Sequence, residues 1–225
     1  MFMVNLDNPN EVKRFADKQG SSVKEIYESD ISFQTSLLDE NPQKVNSYFR
    51  RGNDYFEIRN YEAAINDFKK VIELNKNMPE AYHYLADSYI NLGKNVEAIE
   101  FYSKALNFEN YKSRITLFQR RALAKKNCED YKGALEDINE ALKINSTSYS
   151  EFYKLRSQIY YLLNDLENAN EDFEKYEAMR IESLKQMLSQ VSNIEKETML
   201  FNLFSSLNDD EQNELLATLL HTYKE

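Results

Sequence analysis

Two histidines, one cysteine and a plentiful set of carboxylates are the groups from which this chain would have to build a reactive centre. His83 and His221 lie far apart, and Cys128 has no second thiol at the spacing a zinc site uses. No GxGxxG, GxxxxGK[ST] or GxSxG segment occurs, which removes the common phosphate-cradling loops and the nucleophile elbow. Carboxylates act as a catalytic pair only inside a pocket, and on helix faces they chiefly solvate. The expectation is no catalytic residue, no metal site and no cofactor. Charge is the better candidate for recognition. Lys112, Arg114, Arg120, Arg121, Lys125 and Lys126 form a run without an acid, in a chain of net charge −10. Cations gathered in this way attract a carboxylate or a phosphate.

The wider composition narrows the partners. Basic residues number 28 against 38 acidic ones, which disfavours a phosphate backbone or an anionic membrane surface as the main ligand. The acidity sits in the flanks, with 5 basic against 8 acidic residues in 1–44 and 4 against 8 in 180–225. Only 4 Gly and 3 Pro are available for turns, too few for an all-β fold, while 16 Tyr and 13 Phe supply bulk for a helical core. No apolar run approaches the roughly 18 residues that a membrane helix needs, and the first residues lack the basic start of a signal peptide. A single cysteine suits a reducing compartment, so the expected location is the cytoplasm.

These groups must be positioned by helices, because the sequence repeats with a helical pattern inside each copy. Ala64, Ala98, Ala134 and Ala169 recur at intervals of 34, 36 and 35 residues. An aromatic precedes each in the same register: Tyr48, Tyr82, Phe118 and Tyr153. A small residue follows four places later, at Gly52, Ala86, Ala122 and Ser157. Bulky Phe68, Tyr102, Ile138 and Phe173 hold a further position. Tyr82, Leu85, Ala86 and Tyr89 make one face of a helix, and Ala98, Tyr102, Ala105 and Leu106 make a second. Gly93, between them, suits the positive φ that ends a helix. Each unit is thus expected to be two antiparallel helices, and such hairpins must stack to bury their apolar faces.

This pattern resembles the tetratricopeptide repeat family. Ala81–Asn110 carries the family's aromatic, Leu-Gly, Tyr, Ala, Phe and Ala motif closely and Val45–Asn75 well, whereas Lys125 stands where an aromatic is expected. Pentatricopeptide arrays share the period but bind RNA, and the acidic charge favours the first resemblance. It implies an all-α, right-handed solenoid of about four hairpins, with boundaries near 45–78, 79–114, 115–149 and 150–180. Residues 1–44 would form a helical arm or cap. Residues 181–225 would form a capping helix and a helical hairpin, with Asn208 and Glu211 as a helix-start signal. The resemblance also implies a scaffold or adaptor that holds a protein or peptide on the concave face lined by first helices. The residues it places there are Phe49, Arg50, Asn53, Phe56, Tyr84, Asp87, Arg120, Leu123, Lys126, Lys154 and Tyr161, with His83 and Gln158 beside them. A partner with apolar anchors and acidic groups, or a free C-terminal carboxylate, would suit them. Family members that clamp the EEVD tail of heat-shock chaperones use five positions, of which Asn53 and Arg120 match. Phe49, Tyr84 and Thr116 do not, so an EEVD clamp is disfavoured, and the expectation is a co-chaperone-like adaptor with a related but different acidic-peptide site. The alternatives are a homodimer formed through the C-terminal helices, and a regulatory subunit whose catalytic activity resides on another chain.

The recurring alanine gives the register its test. Ala98→Leu should overpack the helix crossing and cost about 1–3 kcal/mol. A thermal midpoint equal to that of the wild type would refute the register.

Overall fold

Helices begin and end here at local signals that can be named. The computed structural model describes residues 8–144 and 150–189. Among them every regular element is an α-helix: α1 (Pro9–Gln19), α2 (Val23–Glu40), α3 (Val45–Glu57), α4 (Tyr61–Leu74), α5 (Pro79–Asn91), α6 (Asn95–Leu106), α7 (Arg114–Asn127), α8 (Tyr131–Ile144), α9 (Ser150–Leu162) and α10 (Leu166–Ser189). Asn8, two residues before the expected Asn10, caps α1 by accepting from the amides of Asn10 and Glu11. Pro9 explains the shift, since it has no N–H to satisfy and its fixed φ suits the first helical position. Ser22 and Glu25 close a reciprocal capping box on α2.

Four hairpins follow, α3–α4, α5–α6, α7–α8 and α9–α10, joined by one turn used four times. Arg59, Gly93, Glu129 and Asn164 all adopt a left-handed backbone, at φ 62°, 72°, 63° and 59°. After each, an amide donates back to the carbonyl five residues earlier: Asn60 to Tyr55 at 2.8 Å, and Lys94 to Tyr89, Asp130 to Lys125 and Asp165 to Tyr160 at 2.9 Å. Only the second hairpin spends a glycine on the position. Elsewhere the paired backbone bonds hold an L-residue where it costs on the order of 1 kcal/mol to sit.

Within the hairpins, the small residues mark the closest approaches. Ala64, Ala98, Ala134 and Ala169 are all buried. A Cβ at Gly52 would stand 2.8 Å from the Phe68 ring, which is why that position has no side chain. Ser157, its counterpart in the fourth hairpin, donates its hydroxyl to the Ala169 carbonyl at 2.8 Å. Phe68, Tyr102 and Ile138 are completely buried as expected. Phe173 is not. It is 49% exposed, in the last described hairpin.

Between the hairpins runs a buried ionic tie. Arg51 donates through Nε and Nη2 to both oxygens of Asp67, each at 2.8 Å. Arg121 does the same to Asp137, and Arg156 to Asp172. The third donor of each arginine reaches back to the preceding second helix: Arg51 to Thr35 at 3.0 Å, Arg121 to Ser103 at 2.8 Å and Arg156 to Asn139 at 2.7 Å. One guanidinium thereby joins three helices. The repeating aromatics flank it, with Tyr48 and Tyr55 beside Arg51, and Tyr153 and Tyr160 beside Arg156. Lys125, in the slot where an aromatic was expected, instead lays its stem along the core and sets its ammonium 3.0 Å from Asp137. The second hairpin replaces the arginine by fully buried Leu85 and the aspartate by Phe101, which stacks on Tyr89 at 5.6 Å.

Because Thr35 partners Arg51, α2 lies against α3 in the place a preceding second helix would take. The described chain divides at Phe173 into two compact units. The first holds α1 to α9 and the first turns of α10, and its stacked hairpins form an all-α solenoid. In the second, the rest of α10 carries an Arg180–Glu177 pair at 3.3 Å. The hairpin expected after residue 190, with Asn208, Glu211 and His221, lies outside the described residues.

Removing one partner of the tie leaves a buried charge. Asp67→Ala should destabilise by about 3–5 kcal/mol, and the double change Arg51→Leu with Asp67→Phe, which copies the second hairpin, should recover most of that. Chemical denaturation measures both. A double variant as unstable as Asp67→Ala would show that the tie has no apolar substitute in this hairpin.

Candidate functional site

The first helices of the hairpins, α3, α5, α7 and α9, carry the residues expected in the groove, and the structure sorts them into three groups. At the α3–α5 end the aromatics pack on one another. Tyr84 lies 5.8 Å from Phe49, 6.2 Å from Phe56 and 5.8 Å from Phe68, the last nearly parallel. Phe56 also meets Tyr61 edge-on at 5.4 Å. These rings are partly buried in the core, so this end presents an aromatic wall rather than free anchors. Asn53 sits in the same stretch of α3, its Oδ1 buried without a hydrogen-bond partner. Arg50, at the margin, pairs with Asp30 of α2 at 2.7 Å.

The middle is a polar network. Asp87 is 4% exposed, so it faces inward instead of offering a carboxylate to a ligand. Its Oδ1 accepts from the Tyr102 hydroxyl at 2.5 Å and lies 3.3 Å from the Arg120 guanidinium. His83 Nε2 stands 3.6 Å from the other oxygen, and Nδ1 is 2.9 Å from the Tyr111 hydroxyl. Nε2 is buried without a hydrogen-bond partner, so the Tyr111 hydroxyl is the one hydrogen-bond contact of the ring among the described residues. Burial, with the adjacent Asp87, pushes the Tyr102 hydroxyl well above its ordinary range, which keeps it a donor. Arg120 remains about half exposed, one side held by Asp87 and the other open.

The α7–α9 end is the open part. Leu123 is 42% exposed and Tyr161 69%. Lys126 donates to Gln158 Oε1 at 2.9 Å. Beside them lies a cavity of about 410 Å³ whose lining includes Lys126, Gln158, Tyr161, Leu162 and Phe173. Lys154, on α9, lies 3.9 Å from Glu151.

The basic run of the third hairpin is therefore not one anion site. Arg114 donates to the carbonyls of Leu106 and Phe108. Arg121 and Lys125 share Asp137, Arg120 meets Asp87 and Lys126 meets Gln158. Helical geometry fans adjacent cations onto different faces, so a run in sequence becomes several separate pairings. Reading the sequence for charge clusters missed the Arg–Asp tie. Its signal was present, since Arg51, Arg121 and Arg156 each precede an aspartate by sixteen residues. Among the described residues no group of three or more His, Cys, Asp or Glu is arranged to hold a metal ion.

Burial, with a smaller push from Arg120, lowers the affinity of His83 for a proton despite the opposing pull of Asp87 and Glu80. The unfolded chain therefore takes up that proton more readily. The stability contributed by neutral His83 is complete above the ordinary histidine range, near about 6.5, and is lost as pH falls through it toward the lowered folded value. His83→Gln should accordingly lose less stability than the wild type between about pH 7.5 and 5.5. Urea midpoints measured across that window check this, and parallel losses would contradict it.

Comparison with known proteins follows the repeat. Residues 45–78 and 79–110 each match a family model described as tetratricopeptide repeat. Dynein axonemal assembly factor 4 of Pongo pygmaeus is 36% identical over 104 residues, which is 44% of this chain and 25% of that protein. Across the curated relatives, the matched part spans from 14% to 28% of their length. Among solved structures, MamA superposes with a TM-score of 0.68 at 17% identity, covering 82% of this chain and 99% of its own. The first tetratricopeptide domain of Spaghetti (RPAP3), solved with the HSP90 peptide SRMEEVD, gives 0.50 at 22% identity, covering 54% and 94%. At such identities the likeness concerns the fold. With four hairpins in one register and two of them tiled by the repeat models, the chain belongs to the tetratricopeptide repeat family.

Proposed function

We propose that the chain is an adaptor that holds a segment of another protein along α3, α5, α7 and α9, anchored at the α7–α9 end. The observation that supports this is the open cavity lined by exposed Tyr161 and by Lys126, with exposed Leu123 and half-exposed Arg120 on the same helix as Lys126. An aliphatic or aromatic residue of the partner fills the cavity. Buried apolar anchors of this kind carry most of the energy of an interface. Lys126 and the open side of Arg120 then face an Asp, a Glu or a terminal carboxylate next to the anchor. Proteins of this family mediate protein–protein contacts, and Spaghetti's first domain was solved with a peptide bound. This chain keeps Asn53 and Arg120 of the heat-shock-tail clamp but has Phe49, Tyr84 and Thr116 at the other three positions. Its packed aromatic wall at Phe49 and Tyr84 leaves no cation there, so the proposed partner is not an EEVD tail. A cytoplasmic setting belongs to the same proposal and fits the exposed thiol of Cys128. The domain limits proposed with it are 45–179 for the four repeats, flanked by 1–44 and 181–225. The reading assigns no catalytic step to the chain.

Selection of a random peptide library on the purified protein tests this. Enriched peptides should share an apolar anchor followed within a few residues by an acid. Tyr161→Ala and Arg120→Glu should each weaken them about tenfold while helicity is retained. The affinity should fall as salt rises, because the solvent-exposed part of the attraction is screened. Peptides that bind the wild type and both variants equally would overturn the proposal.

A further inference from the structure

The second repeat interval is 36 residues instead of 34, and the extra length falls in the connector between α6 and α7. In repeat arrays an insertion maps to a loop on one face, where it adds a surface the other units lack. Here the connector borders a cavity of about 660 Å³ at the start of α5, lined by Pro79, Glu80, Phe108, Glu109, Tyr111 and Lys112 among others. Its walls are fixed from behind. Arg114 donates to the carbonyls of Leu106 and Phe108, Phe108 packs on Tyr82 with ring centres 5.9 Å apart, and Tyr111 is tied to His83.

The lining combines aromatic rings with carboxylates. The inward carboxylates Asp67, Asp87, Asp137 and Asp172 each meet a cation. Glu80 and Glu109 form no ion pair among the described residues, although they stand at the rim of a cavity walled by two aromatic rings. Burial holds the proton on the Tyr111 hydroxyl against a hydrogen bond with Ser113, and Glu80 and Asp87 add to that effect. Pro79, at the first helical position, removes one of the free amide donors that would otherwise favour an anion at this helix start.

We infer that this cavity receives an arginine or lysine side chain of a partner protein. Phe108 and Tyr111 offer ring surface to the cation, and Glu80 and Glu109 accept its hydrogen bonds. Lys112, on the same lining, sets a ceiling on affinity by placing a like charge nearby. None of the six residues named here lines the α7–α9 cavity, so this site and the groove stand or fall separately.

Amide chemical shifts of the full chain, titrated with an acetylated Gly-Arg-Gly tripeptide and with its neutral citrulline twin, test the inference. The arginine peptide should shift the amides of Glu80 and of residues 108–113, and the citrulline peptide should not. The double variant Glu80→Gln with Glu109→Gln should weaken binding about tenfold, and Lys112→Ala should tighten it. The three charges lie at the surface, which lets the fold survive these changes. Shifts spread evenly over the acidic surface, equal shifts from the citrulline peptide, or an affinity unchanged in the double variant would each overturn it.

Discussion

A guanidinium held by two carboxylate oxygens inside a helical stack is the interaction on which the order of this protein rests. An isolated buried charge is costly, so Arg51, Arg121 and Arg156 persist only because each finds a bidentate partner and a third acceptor. That third acceptor is what makes the interaction architectural. Thr35, Ser103 and Asn139 belong to the preceding second helix, so the correct stacking of one hairpin on the next is a condition for satisfying the charge. Apolar packing alone tolerates sliding, and directional hydrogen bonds do not. The aromatics that mark the repeat serve the same interaction, since Tyr48, Tyr55, Tyr153 and Tyr160 place ring surface against the guanidinium they flank.

The second hairpin solves the same problem without charge, and the polar groups of the molecule are redistributed around it. With Leu85 and Phe101 in place of the ion pair, its buried carboxylate is Asp87, two residues further along α5. Asp87 is met by Tyr102 of α6 and by Arg120 of α7, with His83 3.6 Å away. Arg120 is thus oriented by the interior while half of it faces outward. The two candidate contact areas differ accordingly. One is apolar with cations at its margin, and the other is aromatic with carboxylates at its rim.

Much of the fold was legible because it depends on residue size at fixed spacing. Ala64, Ala98, Ala134 and Ala169 sit at buried helix contacts, and Gly93 takes the left-handed turn. Arg59, Glu129 and Asn164 take the same backbone angle without any compositional sign, because the bonds of the turn, and not the residue, impose it. The site was less legible. A run of cations predicts attraction for an anion only while their internal partners are unknown, and the partners of Arg121 and Lys125 lie on the next helix. Asp87 had a groove register but an inward side chain. The cavity at Glu80 and Tyr111 owes its existence to connector length, which a pattern of matched positions discards.

The pairing of each helix almost entirely with its neighbours in sequence also has a kinetic consequence. Local contacts are reached by short chain searches, so an array of this kind folds fast for its length. The arginine ties impose an order on that search. A guanidinium that needs acceptors from two hairpins cannot be dehydrated until the earlier hairpin has docked. The α5–α6 hairpin alone carries no such condition at its Leu85 position. Its own buried carboxylate, Asp87, takes the Tyr102 hydroxyl when the hairpin closes and the Arg120 guanidinium only when α7 docks, so the closed hairpin offers the third one a charge to meet.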